Sequence, residues 1–162
     1  MPQIAQRAGL TTRTFFRHFA DMREVLFLRD REFPIVVATV LASAPTGLTP
    51  LGLVMFGLET VTAENFDGWR RGMIVRRSII RSDEGLRERE LLKSSRLAAA
   101  IESALVTEEV DPAAAALVAP FGVLVFETAL TEWLDADPDA GDVRPLPEVL
   151  RATLARLRTL TA

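Results

Sequence analysis

The chain has 162 residues, of which 49% are hydrophobic and 25% are charged. This is enough for one good core, or for a small module joined to a larger one, and it excludes a disordered tail. The absence of cysteine excludes disulfide frameworks and thiolate metal sites, and it suits the reducing cytoplasm. The longest apolar run, residues 113–126, has 14 residues, fewer than the roughly 20 that span a bilayer. With no export signal at the start, we expect a soluble cytoplasmic protein without a membrane partner.

The charge is unevenly distributed along the chain. The net charge is -3, yet residues 1–20 contain Arg7, Arg13 and Arg17 without any Asp or Glu, so this segment carries +3. The remaining residues carry 16 basic and 22 acidic groups. This asymmetry predicts a small basic contact surface on an acidic body.

The first segment predicts two short helices. Apolar residues recur at three and four positions, which is typical of helices, and the alternation of a strand is absent. Residues 2–8 open on a proline and end at Gly9, a residue that readily adopts the left-handed conformation of a helix end. Thr11 is a suitable N-cap for a second helix over residues 12–19.

The rest of the chain is also predicted to be helical. A helix that begins after Asp21 continues to about Leu41, with a bend near Pro34. Thr49 and Asp111 each precede a proline, so each places a capping side chain directly before the first helical position. The other predicted helices cover residues 69–81, residues 86–110 and the chain after Pro147, and the polar segment "SDEG" separates the first two.

The two N-terminal helices have the pattern of a helix-turn-helix. Phe15 and Phe19 are four residues apart and share a face, so they can pack against the preceding helix and turn. The residues that then point outward are Thr12, Arg13, Phe16 and Arg17. Hydroxyl and guanidinium groups at the start of such a helix are suited to the major groove of DNA, so residues 12–19 are predicted to be a recognition helix. The alternative is an ordinary helical hairpin with solvated arginines.

The run "IAQRAGLTTRTFFRHFADMREVLF", residues 4–27, resembles the DNA-binding signature of the TetR family of bacterial transcriptional regulators. The resemblance implies an all-α protein with a helix-turn-helix DNA-binding domain over residues 1–30. It also implies a larger helical domain over residues 31–162 that binds a small effector and forms a homodimer. The family has one further helix ahead of the position of Pro2, and we expect the module to need that helix to close its core.

The resemblance also implies which residues contact double-stranded DNA. Thr12 and Arg13 fall where the family reads bases, and Phe16, Arg17 and His18 fall where it touches bases or phosphates. The family usually has tyrosine at the position of Phe16, so a phenolic hydrogen bond to phosphate is lost here. It often has lysine at the position of Met22, and we expect the neighbouring Arg23 to replace that lysine here.

Catalysis and metal binding are not expected. His18 is the only histidine, and no Cys, Tyr or local Ser and Asp pairing accompanies it as a nucleophile or triad partner. A lone histidine also cannot form a transition-metal site. The acidic run "DADPDAGD", residues 135–142, lacks the Gly and Glu that a calcium loop needs at its sixth and twelfth positions, so it is interpreted as a solvated linker. We therefore predict no enzyme activity and no cofactor.

The helix over residues 69–81 contains a cation in an apolar stripe. At 100° per residue, Arg76 falls on the same side as Trp69 and Met73. A buried charge needs a partner, and the candidates are Glu127 or the acidic group of a ligand, unless the side chain extends to water. The predicted effector pocket consists of Trp69, Met73, Arg76, Phe121, Phe126 and Glu127.

Residues 113–126 are apolar on all sides, so they must be covered on more than one side. The resemblance implies that the outer side of this helix and the last helix form the dimer. The interface residues predicted on the last helix are Val149, Leu150, Leu154 and Leu157.

The sequence therefore predicts a ligand-responsive DNA-binding transcriptional regulator, and a repressor because most of the family repress. An apolar or amphipathic effector would shift the helix after Asp21 and change the separation of the two recognition helices. The alternative is a dimeric ligand-binding or interaction module that no longer binds DNA.

Overall fold

The computed structural model describes residues 32–137 and 143–161, and Phe33–Ala162 forms one compact unit. The described residues form five helices and no strand, which confirms the predicted all-α fold class. The helices are α1 (Glu32–Leu41), α2 (Pro50–Arg81), α3 (Glu84–Thr107), α4 (Pro112–Asp135) and α5 (Leu146–Thr161). The predicted helix-turn-helix lies outside the described residues.

Three helices begin at side-chain caps that the sequence marks clearly. Thr49 Oγ1 accepts a hydrogen bond from the Gly52 amide at 3.1 Å, and Asp111 Oδ2 accepts one from the Ala114 amide at 2.9 Å. Both predicted starts, each with proline at the first helical position, are therefore confirmed. Asp83 caps α3 in the same way. The predicted break at the "SDEG" segment is thus also confirmed.

The prediction of a separate helix over residues 69–81 is wrong, because α2 runs without interruption from Pro50 to Arg81. Gly68 and Gly72 lie within it. Glycine costs about 1 kcal/mol relative to alanine inside a helix, which weakens a helix without ending it. The predicted helix over residues 86–110 is found as Glu84–Thr107. It ends where Glu109 adopts a left-handed conformation with φ of 63°.

The hydrophobic core is arranged around α4, which packs against α2, α3 and α5. At Gly122, α4 passes close to α2, because a Cβ atom there would stand 2.3 Å from Cγ1 of Val54. Glycine is needed here because any side chain would collide with α2. Phe126 and Trp133 continue the buried face of α4 beyond this crossing.

Arginines of α2 hold the C-terminal end of α4. Arg70 donates from Nε and Nη2 to the Trp133 carbonyl at 3.1 and 3.0 Å, and its guanidinium lies 5.6 Å from the centre of the Trp133 ring. Arg77 forms a bidentate pair with Asp135, with distances of 2.8 and 3.0 Å. The last carbonyls of a helix lack intrahelical donors and carry partial negative charge, so two cations satisfy and stabilise this end.

Among the described residues, α4 is long and apolar enough, by length and composition, to cross a membrane. Its most apolar 18-residue window has a mean hydropathy of 1.9, and 39% of that window is buried inside the chain. The uninterrupted apolar run covers only residues 113–126, whereas α4 continues beyond it to Asp135 and has 24 residues. The core helix of a soluble protein has the same properties, so this feature is weak evidence for a membrane span.

Candidate ligand and interface sites

The residues predicted to contact DNA lie outside the described part of the chain. They are Thr12, Arg13, Phe16, Arg17, His18 and Arg23. The candidate sites below therefore concern the helical unit, where the predicted effector pocket and dimer interface are located.

An aromatic cluster, defined as Phe33, Phe66, Trp69 and Phe126, joins α1, α2 and α4. Phe33 stacks on Phe126, with ring centres 5.4 Å apart and an interplanar angle of 25°. Phe66 lies edge-on to Phe126 at 6.3 Å and tilted to Phe33 at 5.9 Å. Trp69 contacts Phe66 at 5.9 Å and is 40% exposed, so the cluster extends from the core to the surface. Offset stacked and edge-to-face rings at these distances attract each other beyond the area that they bury.

Two of the predicted pocket residues, Trp69 and Phe126, thus belong to one cluster and are connected through Phe66. Met73 and Phe121 are half-buried and pack against the hydrophobic core. Phe33 and Phe66 were not predicted as site residues. Phe66 precedes Trp69 by three positions on one helix and could have been included from that spacing, whereas Phe33 comes from another helix and has no local signal.

Glu127, one of the candidate partners of Arg76, is not the acidic residue that pairs with it. Arg76 forms a bidentate ion pair with Glu90 of α3, with distances of 3.2 Å from Nη1 to Oε1 and 2.8 Å from Nη2 to Oε2. Glu127 instead accepts a hydrogen bond from Ser94 Oγ. The cause is the α2–α3 hairpin, which places Glu90 opposite Arg76 across a short turn.

The environment of Glu90 favours its charged form. Burial raises the pKa of Glu90, but the hydrogen bonds from Arg76 and the charges of Arg76 and Lys93 together outweigh burial, so the pKa lies below the ordinary value of 4.5. Lys93 Nζ is 3.5 Å from Glu90 Oε1. An acidic ligand could reach Arg76 only in competition with this internal carboxylate.

The residues predicted for the dimer interface are placed elsewhere by the structure. Val149, Leu150 and Leu154 are buried in the core of this same chain, and Leu157 packs against that core. A second copy could not reach the three buried side chains, so this part of the predicted interface is wrong. The reason is that the apolar stripe of α5 packs against α2 and α4.

The outer face of α4, in contrast, is open in the isolated chain. We define this open face as Ala113, Ala116, Leu117, Pro120 and Leu124, all of which are exposed. Leu117 is 74% exposed and Leu124 is 53% exposed. Their spacing of three and four residues places them along one side of the helix. The sequence predicts that residues 113–126 are covered on more than one side. The open face is the side that the described chain leaves uncovered.

Within the described ranges, no group of three or more His, Asp or Glu side chains could hold a metal ion. The acidic run over residues 135–142 begins where α4 ends at Asp135, and residues 138–142 lie outside the described part.

No model of a known protein family matches the chain, and a search among functionally characterised proteins finds no significant relative.

Proposed function

We propose that the protein is a TetR-like, ligand-responsive transcriptional regulator that represses genes by binding operator DNA and is released by a small effector. The observation that carries this proposal is the run over residues 4–27, which combines a helix-turn-helix pattern with a charge of +3 over residues 1–20. A regulator of this kind acts on DNA, so we place it in the cytoplasm.

In this proposal, the aromatic cluster is where the effector binds. Aromatic side chains that extend from the core to the surface offer apolar contact area, which supplies most of the affinity for a small ligand. Arg76 is already paired with Glu90. We therefore propose an apolar effector, and no acidic group is needed to neutralise Arg76.

The open face of α4 is the proposed dimer interface. A row of exposed apolar side chains on a core helix is a typical protein-protein interaction surface, and a second copy would cover it with the same face. A two-fold dimer presents two recognition helices to half-sites about 34 to 36 Å apart. An effector that changes this separation weakens DNA binding.

The proposal is tested by selecting double-stranded DNA from a random pool. The protein used is the chain together with any in-frame residues that its gene encodes ahead of Met1. We expect enrichment of two-fold symmetric sequences whose half-sites are about 10 base pairs apart, centre to centre. If no sequence is enriched at low salt, where phosphate contacts are strongest, the proposal is wrong. A dimer that enriches no DNA would instead be the ligand-binding or interaction module.

A further inference from the structure

The open face of α4 has a definite beginning and end along the helix. It begins at Ala113, directly after the first residue of α4, and its last apolar residue is Leu124. The next outward residues, at the same spacing of three and four, are polar and exposed: Glu127, Thr128 and Thr131. The apolar surface offered to a second molecule is therefore short, and a carboxylate borders its C-terminal end.

Small and large side chains alternate along this face. Leu117 and Leu124 project from it, with 74% and 53% of their surface exposed. Ala113 and Pro120, which are also exposed, are more compact. Well-packed interfaces place small side chains opposite large ones, because a void loses contacts and an overlap causes strain. The order small, large, small, large is complementary to its own reverse, so a second α4 that runs in the opposite direction fits this face.

We propose that two copies of the chain pack their α4 helices antiparallel, with the two-fold axis at the midpoint between Ala113 and Leu124. Residues at equal distances on either side of this midpoint then face each other. Leu124 of one copy packs on Ala113 of the other copy, and Leu117 packs on Pro120 of the other copy. The symmetry repeats each contact once. This inference rests on the dimer of the proposed function and specifies how the second copy binds.

The charge of Glu127 also favours the antiparallel orientation. In a parallel pair every residue faces its own counterpart, so Leu124 meets Leu124 and the two Glu127 carboxylates face each other. Like charges opposed across an interface are unfavourable. In the antiparallel pair Glu127 lies opposite Val110 of the other copy, which precedes the start of α4. The two carboxylates are then about 25 Å apart along the helix direction, and neither is covered by the partner helix.

The test is disulfide crosslinking between two variants of the full chain, which has no cysteine of its own. In the antiparallel dimer, the cysteine of Ala113→Cys faces that of Leu124→Cys in the other copy. Two copies of the same variant hold their cysteines about 16 Å apart along the helix, too far for a disulfide. Under mild oxidation, an equimolar mixture should therefore form at least about tenfold more linked dimer than either variant alone. A tag on one variant identifies the mixed dimer on a non-reducing gel.

The control for chance collisions is Leu92→Cys on α3, a residue that is 49% exposed and does not belong to the open face. Its mixture with Ala113→Cys should give no excess of linked dimer. Sedimentation equilibrium under reducing conditions first measures whether the parent and each variant are dimers. Dimeric variants that link to themselves as well as in the mixture would overturn the antiparallel orientation. Dimers that link no more than the control would overturn the α4 contact and leave the proposed dimer to another surface, whereas a monomeric parent would overturn both.

A second measurement decides the orientation if Leu124→Cys does not dimerise. Thr131→Cys changes an exposed residue beyond the apolar part of the face, and its thiol can carry a nitroxide spin label. The antiparallel dimer separates the two labels by about 35 to 40 Å along the helix, whereas a parallel pair brings them together. A distance below about 20 Å by electron spin resonance would overturn the proposal. None of these measurements uses DNA, so a protein that behaves as expected here but enriches no DNA retains this dimer and loses only the regulator function.

Discussion

The two faces of α4 are both apolar, but their surroundings differ. The inner face includes Gly122, Phe126 and Trp133 and is packed against α2, α3 and α5. The outer face, with Leu117 and Leu124, is open in the isolated chain. Hydrophobicity alone does not distinguish the two faces. The fit of the inner face depends on local details, such as the glycine where α4 crosses α2. The outer face is the proposed interface with a second copy.

The largest expected effect is on the inner face, at the crossing of α4 and α2. In Gly122→Ala the new Cβ would lie 2.3 Å from Val54 Cγ1, so the helices must separate or Val54 must move. We expect a loss of about 3 kcal/mol in the free energy of unfolding, measured with denaturant.

The matched control is Gly72→Ala in α2, where nothing lies within 4 Å of the added methyl group. This variant should be more stable by about 0.5 to 1 kcal/mol, because alanine is the better helix former. Combining Gly122→Ala with Val54→Ala should recover part of the lost stability. Equal effects of the two glycine substitutions would contradict the tight crossing.

A similar but smaller loss is expected at the C-terminal end of the inner face. Arg70→Met removes the hydrogen bonds to the Trp133 and Ala136 carbonyls and should lower the free energy of unfolding by about 2 kcal/mol. Arg71→Met, at the next and exposed position, should change it by less than about 0.5 kcal/mol. Thermal unfolding of both variants provides the comparison, and an equally small change in both would show that the arginine contacts at the end of α4 contribute no stability.

The outer face is probed by Leu124→Glu. The side chain is 53% exposed, so the isolated chain should keep its helical content. In the proposed dimer, however, the charge would be buried without a partner, and the dimer dissociation constant should rise about 30-fold, which corresponds to about 2 kcal/mol. Sedimentation equilibrium measures the change. The control is Leu92→Glu on α3, a residue that is 49% exposed and does not belong to the open face. A Leu124→Glu protein that dimerises like the parent would exclude this interface.

The smallest effect concerns the ion pair beside α4. Glu90→Gln should lower the free energy of unfolding by about 1 kcal/mol at pH 7, a value between those of exposed and buried pairs. The pKa of Glu90 is lower in the folded protein than its ordinary value of 4.5. The ion pair therefore contributes its full stabilisation at pH values above 4.5 and loses it as the pH falls through the lowered pKa. The difference between parent and variant should therefore shrink below pH 4.5.

Denaturant unfolding between pH 3 and 7 measures this difference. Glu127→Gln, which changes an exposed carboxylate bonded to Ser94, is the control and should alter stability by less than about 0.5 kcal/mol. A difference for Glu90→Gln that stays constant or grows in acid would show that the Arg76–Glu90 pair does not contribute as described.

The helix starts could be predicted from the sequence because a cap is a local feature. Thr49, Asp83 and Asp111 each bond an amide three residues ahead. The partner of Arg76 could not be predicted in this way, since Glu90 and Glu127 are both acidic and only the α2–α3 hairpin selects between them. The same limit applies to α5, because an apolar stripe that includes Leu150 suits the core of its own chain and a dimer interface equally well.

The most direct test of the proposed function is the salt dependence of binding to a selected DNA duplex by the parent, Arg17→Ala and Arg13→Ala. Loss of a phosphate contact in Arg17→Ala should weaken binding to all sequences and reduce the slope of log affinity against log salt by about one. Loss of a base contact in Arg13→Ala should instead relax the preference at one base pair by about 1 to 3 kcal/mol. If both variants bind with the parent's slope and the parent's base preference, residues 12–19 are not a recognition helix and the regulator proposal is contradicted.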